Sequence, residues 1–260
     1  MPEPSDRAWD LFFEVFEALP RQGPGNRASA AKALAMCRGL GPAPAIIDLG
    51  CGVGAQTFHL AELTSGTIDA IDSQAAFVAS IQARAAERGL SDRVRARVAD
   101  MADPGFPPGS FDLAWSEGAL YCIGLRKALG VCHGLLRPGG FLVFTDAVWR
   151  KSDPPAEVKA LFDAECPTMG PVESDLALLR DCGFEVIGHF ALPDEAWWDD
   201  FYGPMESRIA ELRVKYADDA EATGILEQIA AEPAMHRRHA DCYGYEFFVA
   251  RRQPDHQPRN

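Results

Sequence analysis

Apolar and polar residues follow two rhythms along this chain. Residues 5–19, SDRAWDLFFEVFEAL, carry apolar groups at helical spacing. Ser5 or Asp6 is available as an N-cap, and Pro20 stops the run. The turn-rich stretch RQGPGN follows, and then a second helical segment over 27–40 that ends at Gly41-Pro42. From residue 45 short apolar runs take over. AIIDLG (45–50), TIDAID (67–72), RVRARV (93–98), FDLAW (111–115) and FLVFTDA (141–147) read as strands. Helical stretches at 55–64, 74–88 and 119–136 separate them, with the loop ADMADPGFPPGS before the fourth strand and the turn RPGG before the fifth.

Strands alternating with helices imply right-handed βαβ units and a parallel sheet, and near-continuous apolar strands imply cover on both faces. Further on, 154–164 and 173–182 read as helices and 184–192 as a strand. Residues 193–240 form a long helical, aromatic-rich stretch, and YGYEFFVARR (243–252) is a last strand. The expected fold is α/β: a Rossmann-like, doubly wound, mostly parallel seven-stranded sheet with N-terminal helices and a helical insertion before the last strand. One domain is expected over 1–260, with a helical cap (1–42), a core (43–192), the insertion (193–241) and the last strand (242–252). The polar tail QPDHQPRN is expected to fray.

Composition narrows the functional classes. Of 260 residues, 47% are apolar, enough for a sizeable core. No apolar run approaches the length of a membrane span, and the N-terminus lacks a basic start and an apolar signal core, so the expected location is cytoplasmic. A net charge of −13 opposes phosphate backbones, so neither nucleic acid nor membrane is an expected partner. The basic cluster HRRH (236–239) reads as a solvated helix face. Seven scattered cysteines without C-x-x-C or zinc spacing imply free thiols and no metal. His59, His133 and His189 have no visible partner and read as structural.

The chemistry concentrates at Asp48-Leu49-Gly50-Cys51-Gly52-Val53-Gly54. Glycines allow a sharp turn and close approach to a ligand, and the helix starting near Ala55 points free N–H groups into the same space. Asp72 ends the next strand, where a doubly wound fold sets an acid against ribose hydroxyls. A nicotinamide reading is formally open, because Gly50, Gly52 and Ala55 match G-x-G-x-x-A. Asp48 argues against it: an acid at the strand end repels a pyrophosphate but suits a ligand with an ammonium group.

Five motifs in order, IIDLGCGVG, AID, ADMADPGFPPGSFDLAWSEG, LLRPGGFLVF and LLRDCGFEVI, make the chain resemble class I S-adenosylmethionine-dependent methyltransferases of the small-molecule, type 11 group. RQGPGN and WSEGALYCIG resemble an uncharacterised bacterial subgroup of it. The resemblance covers about 20–192, and the subgroup likeness extends to YGYEFF. It implies that Asp48, Gly50, Cys51 and Gly52 line the methionine and ribose part of the cofactor, and that Asp72 and Ser73 take the ribose. Asp100 and Met101 would lie at the adenine, and Ser116 and Glu117 would border the donor sulfur. Arg21 and Gln22, in a loop folded over the cofactor, would contact the methionine carboxylate or close the site. Asp72 and Glu117 also suit helix caps, and Asp100 a turn.

Loops beyond the strand ends should form the acceptor pocket. Glu117 and Tyr121 are the catalytic candidates. Tyr121, Asp146, Trp149, Trp197, Trp198 and Tyr202 are the substrate-binding candidates. The aromatics of 193–205 suit a pocket wall or the packing of an added lobe equally well. The reading is transfer of a methyl group from S-adenosylmethionine to a small-molecule acceptor, releasing S-adenosylhomocysteine. A non-catalytic cofactor-binding protein and an enzyme acting on protein or RNA remain alternatives, and a homodimer is left open.

Overall fold

The computed structural model describes residues 5–254. Two helices come first, α1 (Asp6–Phe16) and α2 (Arg27–Met36). The Ser5 hydroxyl accepts the Ala8 amide at 3.2 Å, and Asn26 Oδ1 accepts the Ser29 amide at 2.8 Å, so both begin at capping side chains. The core then alternates β1 (Ala45–Leu49), α3 (Ala55–Leu63), β2 (Thr67–Asp72), α4 (Ala75–Glu87), β3 (Val94–Val98), β4 (Phe111–Glu117), α5 (Leu125–Leu135) and β5 (Leu136–Trp149). Helices α6 (Ala156–Glu165) and α7 (Val172–Asp181) precede β6 (Phe184–Ala191). Helices α8 (Glu195–Trp197), α9 (Gly203–Lys215) and α10 (Ala220–His239) precede β7 (Tyr243–Arg252).

The seven strands form one sheet in the order β3-β2-β1-β4-β5-β7-β6. All neighbours are parallel except β7, which runs antiparallel to both β5 and β6. Strand order reverses between β1 and β4, and a doubly wound sheet opens a crevice at the carboxyl ends of such a pair. Both faces are apolar, as the continuous strand runs imply. Trp115, Phe247 and Val249 belong to one buried cluster, Ile47, Leu49, Phe144 and Phe248 to the other.

Several expected boundaries move. Strand β4 runs to Glu117, two residues beyond FDLAW, because β5 continues alongside and pairs Ser116 with Phe144 and Glu117 with Thr145. The expected helix over 119–136 is a 3₁₀ turn (Leu120–Ile123) and then α5, divided at Gly124, whose φ of 81° no α-helix allows. The expected helix over 27–40 stops at Met36. The 193–240 stretch divides into α8, a π-helical turn (Trp198–Tyr202), α9 and α10. HRRH is not a solvated face throughout. Arg237 pairs with Glu206, but His236 is buried and stacks on Trp197 with centroids 4.1 Å apart. His189 does have a partner, Glu246 on the adjacent strand, at 2.5 Å. Residues 255–260 of the tail lie outside the described residues.

The N-terminal helices and the insertion roof the sheet together. Glu14 of α1 accepts from Lys215 at 2.6 Å and from the Tyr216 hydroxyl at 2.8 Å, and Arg7 reaches Asp219 at 2.9 Å. The Gly25 amide donates to the Ala196 carbonyl at 2.9 Å, joining the RQGPGN strap to α8.

Candidate functional site

Under this roof, at the carboxyl ends of β1, β2 and β4, lies a cavity of about 910 Å³. It is lined by Arg21, Gln22, Gly50, Cys51, Gly52, Asp72, Ser73, Asp100, Met101, Glu117, Tyr121, Trp197 and Tyr202. Thirteen of the eighteen residues proposed from the sequence therefore line one cavity. Asp48, Ser116, Asp146, Trp149 and Trp198 do not line it.

Asp48 stands behind the glycine loop, fully buried, and takes Thr57 Oγ1 at 2.5 Å and Gln56 Nε2 at 3.3 Å. It ties the loop to the first turn of α3 rather than facing a ligand. Burial pushes its carboxyl up to about 7, against the pull of those two hydrogen bonds, and the nearby Glu117 and Asp72 charges add to the rise. The folded chain thus holds a proton that the unfolded chain releases near its ordinary value, 3.8. The contribution of Asp48 to stability therefore falls as pH rises from about 4 to about 7. Asp48→Asn should flatten that slope in urea unfolding measured across the interval. An unchanged slope would assign it to other carboxylates.

Ser116 donates to the Leu49 carbonyl at 2.8 Å and stitches β4 to the end of β1. Trp149 donates its indole N–H to the Met169 carbonyl at 3.1 Å and meets Phe162 edge-on. Trp198 is half-buried beneath the Arg237 guanidinium, 4.4 Å from the ring centroid. All three are engaged by neighbouring elements rather than by the cavity.

The strap and β4 meet in a buried ion pair. Arg21 Nη2 donates to Glu117 Oε2 at 2.6 Å, with the side chains 4% and 1% exposed. Trp115 Nε1 donates to Glu117 Oε1 at 2.9 Å. Arg21 also reaches the Gly23 carbonyl at 2.7 Å and the Pro24 carbonyl at 3.3 Å, but its Nη1 is enclosed with no partner among the described residues. Glu117 is not a helix cap: the 3₁₀ turn that follows has no side-chain cap, and both carboxylate oxygens are occupied elsewhere. Gly25 makes the close approach possible, since a Cβ there would lie 2.2 Å from Arg21 Nη2 and 2.5 Å from Glu117 Oε2.

Gln22 makes a second tie. Its Oε1 accepts the Val53 amide at 2.9 Å and its Nε2 donates to the Phe16 carbonyl at 2.9 Å. Asp72 accepts the Gly52 amide at Oδ2 and the Gln74 amide at Oδ1, both at 2.9 Å. It therefore closes a turn just ahead of α4, whose N-cap Gln74 has no side-chain cap, and lines the cavity at once. Asp100 is exposed and accepts the Ala102 amide at 2.8 Å, which makes the turn that is its alternative reading.

Much of the rest of the lining is aromatic, and the sequence pattern did not mark most of it. Phe12 and Phe16 come from α1, Phe162 from α6, Glu232 from α10 and Tyr245 from β7. Tyr202 donates its hydroxyl to Glu232 at 2.8 Å. Burial raises the Tyr202 and Tyr245 phenols well above their ordinary value, so both are neutral hydrogen-bonding groups at neutral pH. Period-two alternation in YGYEFF, with Tyr243, Tyr245 and Phe247 on one face, is the signal that would have found Tyr245.

Comparison with known proteins agrees with this architecture. Residues 46–140 match the family model described as a methyltransferase domain. The nocamycin O-methyltransferase of Saccharothrix syringae is 36% identical over 136 residues, 48% of this chain and 48% of the relative, so the chain spans about half the length of that curated relative. A crystal structure of an S-adenosylmethionine-dependent methyltransferase from Thiobacillus denitrificans, in complex with S-adenosylhomocysteine, superposes with a TM-score of 0.79 at 20% identity. That match covers 92% of this chain and 97% of the other. The [4+2]-cyclase SpnF superposes with a TM-score of 0.73 at 23% identity, covering 95% and 93%. At such identities these structures share the fold; the chemistry rests on the site.

Proposed function

We propose, on the premise that this chain carries a class I methyltransferase core, that it transfers a methyl group from S-adenosylmethionine to a small-molecule acceptor and releases S-adenosylhomocysteine. One observation carries the reading: the glycine loop, Asp72 and the strap open onto the same cavity as aromatic side chains from α1, α6, the insertion and β7. A donor and an acceptor can then meet in a single cavity.

Two features favour this cofactor. The enclosed Arg21 Nη1, partnerless among the described residues, suits a carboxylate such as that of a methionine moiety. Gly50 is left bare where a Cβ would lie 2.4 Å from Ala119 Cβ, so the loop keeps its backbone open beside the cavity. Arg21, Gly50, Gly52, Asp72, Ser73, Asp100 and Met101 are the residues proposed to hold it. When bound, the cofactor supplies an electrophilic methyl group on a sulfonium. The chain's own work is to hold both partners in line and to exclude water, which the strap and the α1 aromatics do by covering the strand ends. Glu117, committed to Arg21 and Trp115, is proposed as a positioning residue. Tyr121 is proposed at the acceptor side.

Calorimetry with S-adenosylmethionine, S-adenosylhomocysteine and NADH, followed by S-adenosylhomocysteine release across hydroxyl, thiol, amine and carbon acceptors, tests the reading. Binding of the first two and turnover with one acceptor class is the expected result. NADH binding without S-adenosylmethionine binding would overturn it. Cofactor binding without turnover on any acceptor would assign the fold to a non-methylating role.

A further inference from the structure

A second chamber of about 370 Å³ lies beside the main cavity, and Tyr121, Ala147 and Cys166 line both. Two carboxylates from distant parts of the sequence face it: Asp146 of β5, 8% exposed, and Asp175 in the first turn of α7, 7% exposed. Asp146 Oδ1 accepts the Ala147 amide at 3.0 Å. Asp175 Oδ2 is enclosed and meets no donor among the described residues. An acid in the first turn of a helix is favoured by the helix dipole, which accounts for an exposed carboxylate there. It does not account for one that is buried and unpartnered.

Other ionisable groups around the chamber leave this deficit in place. Arg126 and Lys127 of α5 also line it, but both are exposed and Arg126 reaches Asp181 at 3.3 Å. Tyr121 and Cys166 complete the titratable lining. Burial pushes both carboxyls up to about 7, and the Asp146 charge adds to the rise at Asp175. A burial cost of this kind is relieved by a cation with several N–H donors, because an ionised carboxylate only accepts. A metal ion is poorly served: among the described residues no cluster of three or more His, Cys, Asp or Glu side chains could hold one. An ammonium group needs fewer ligands and is held by carboxylates alone.

We propose that the chamber at Asp146 and Asp175 binds the protonated amine of a small molecule, the methyl acceptor of the reaction proposed above. Only the identification of that molecule as the acceptor rests on the methyltransferase reading. The amine site stands on its own geometry, and its contact with the main cavity through Tyr121, Ala147 and Cys166 lets one ligand reach both.

Benzylamine and benzyl alcohol, matched in shape but not in charge, separate the outcomes when titrated into the wild-type protein and Asp175→Asn near neutral pH. S-adenosylhomocysteine affinity is measured alongside. The wild type should bind benzylamine about tenfold or more tighter than the alcohol, and Asp175→Asn should lose that preference while keeping its S-adenosylhomocysteine affinity. Aspartate-carboxyl carbon NMR of the wild type is a second readout that needs no variant. Benzylamine, and not the alcohol, should move the Asp146 and Asp175 carboxyl resonances and leave that of Asp48, which burial raises to the same range, in place. Equal affinity for amine and alcohol, or unmoved carboxyl resonances, overturns the site. Benzylamine binding without S-adenosylhomocysteine binding would leave the amine site and remove the methyltransferase reading, and the converse would do the opposite.

Discussion

Glu117→Leu should destabilise the docked strap by about 3–5 kcal/mol, the usual cost of removing one partner of a buried ion pair. The leucine strands a charge and orphans a donor. Arg21 loses its carboxylate partner at 2.6 Å and keeps only backbone carbonyls, and the indole N–H of the fully buried Trp115 loses its partner at 2.9 Å. Relief of the charge repulsion on Asp48 offsets a small part. The chain has a cheaper escape than global unfolding, because the strap can lift and return Arg21 to water. The observed loss is then capped at the strap's undocking free energy, and the remainder appears as weaker S-adenosylhomocysteine binding and faster proteolysis within 20–26. Urea unfolding, calorimetry and limited proteolysis read these three quantities. Arg21→Met should behave alike, and the double variant should lose much less than the sum of the two, since neither charge is then stranded. A single variant that loses less than about 1 kcal/mol and binds normally would show that the pair holds nothing.

Gly52→Ala should cost about 2–4 kcal/mol, summing left-handed backbone strain and one lost hydrogen bond. Gly52 has a φ of 53°, and a Cβ would lie 2.6 Å from Gln22 Oε1. That oxygen is not free to move, because it accepts the Val53 amide while the other end of the amide group holds the Phe16 carbonyl. The loop relaxes by giving up the geometry in which Asp72 takes the Gly52 amide. Re-forming that geometry around a ligand draws on the binding energy, so the cost should appear as a loss of S-adenosylhomocysteine affinity of roughly thirty- to a thousandfold. Adding Gln22→Ala makes room for the methyl group and should restore part of the affinity, leaving backbone strain alone. Wild-type affinity in Gly52→Ala would remove the loop from the binding site.

The legible part of this protein was the part written in local pattern. Periodicity announced every strand of the sheet, and the glycine loop with Asp72 marked the crevice, because turn chemistry and strand ends are properties of neighbouring residues. Asp48 was misplaced for a reason of the same kind. An acid at a strand end implies a polar partner, but only the first turn of α3 shows that Thr57 and Gln56 supply it. Ser116, Trp149 and Trp198 carry suitable chemistry and face neighbouring elements instead of the cavity.

Spacing along the chain says which face of an element a side chain occupies. It does not say what covers that face. Arg21 and Glu117 are 96 positions apart, and their pairing exists because the strap, tied to α8 through Gly25, is laid across the end of β4. Asp146 reads as a substrate-binding candidate and Asp175 as one more acid of a helix, and only the fold brings both to the lining of one chamber. The sequence by itself determined the doubly wound core and the position of its crevice, since those follow from alternation and turns. Tertiary structure alone decided which charges are buried together, because that depends on which distant segments the fold brings into contact.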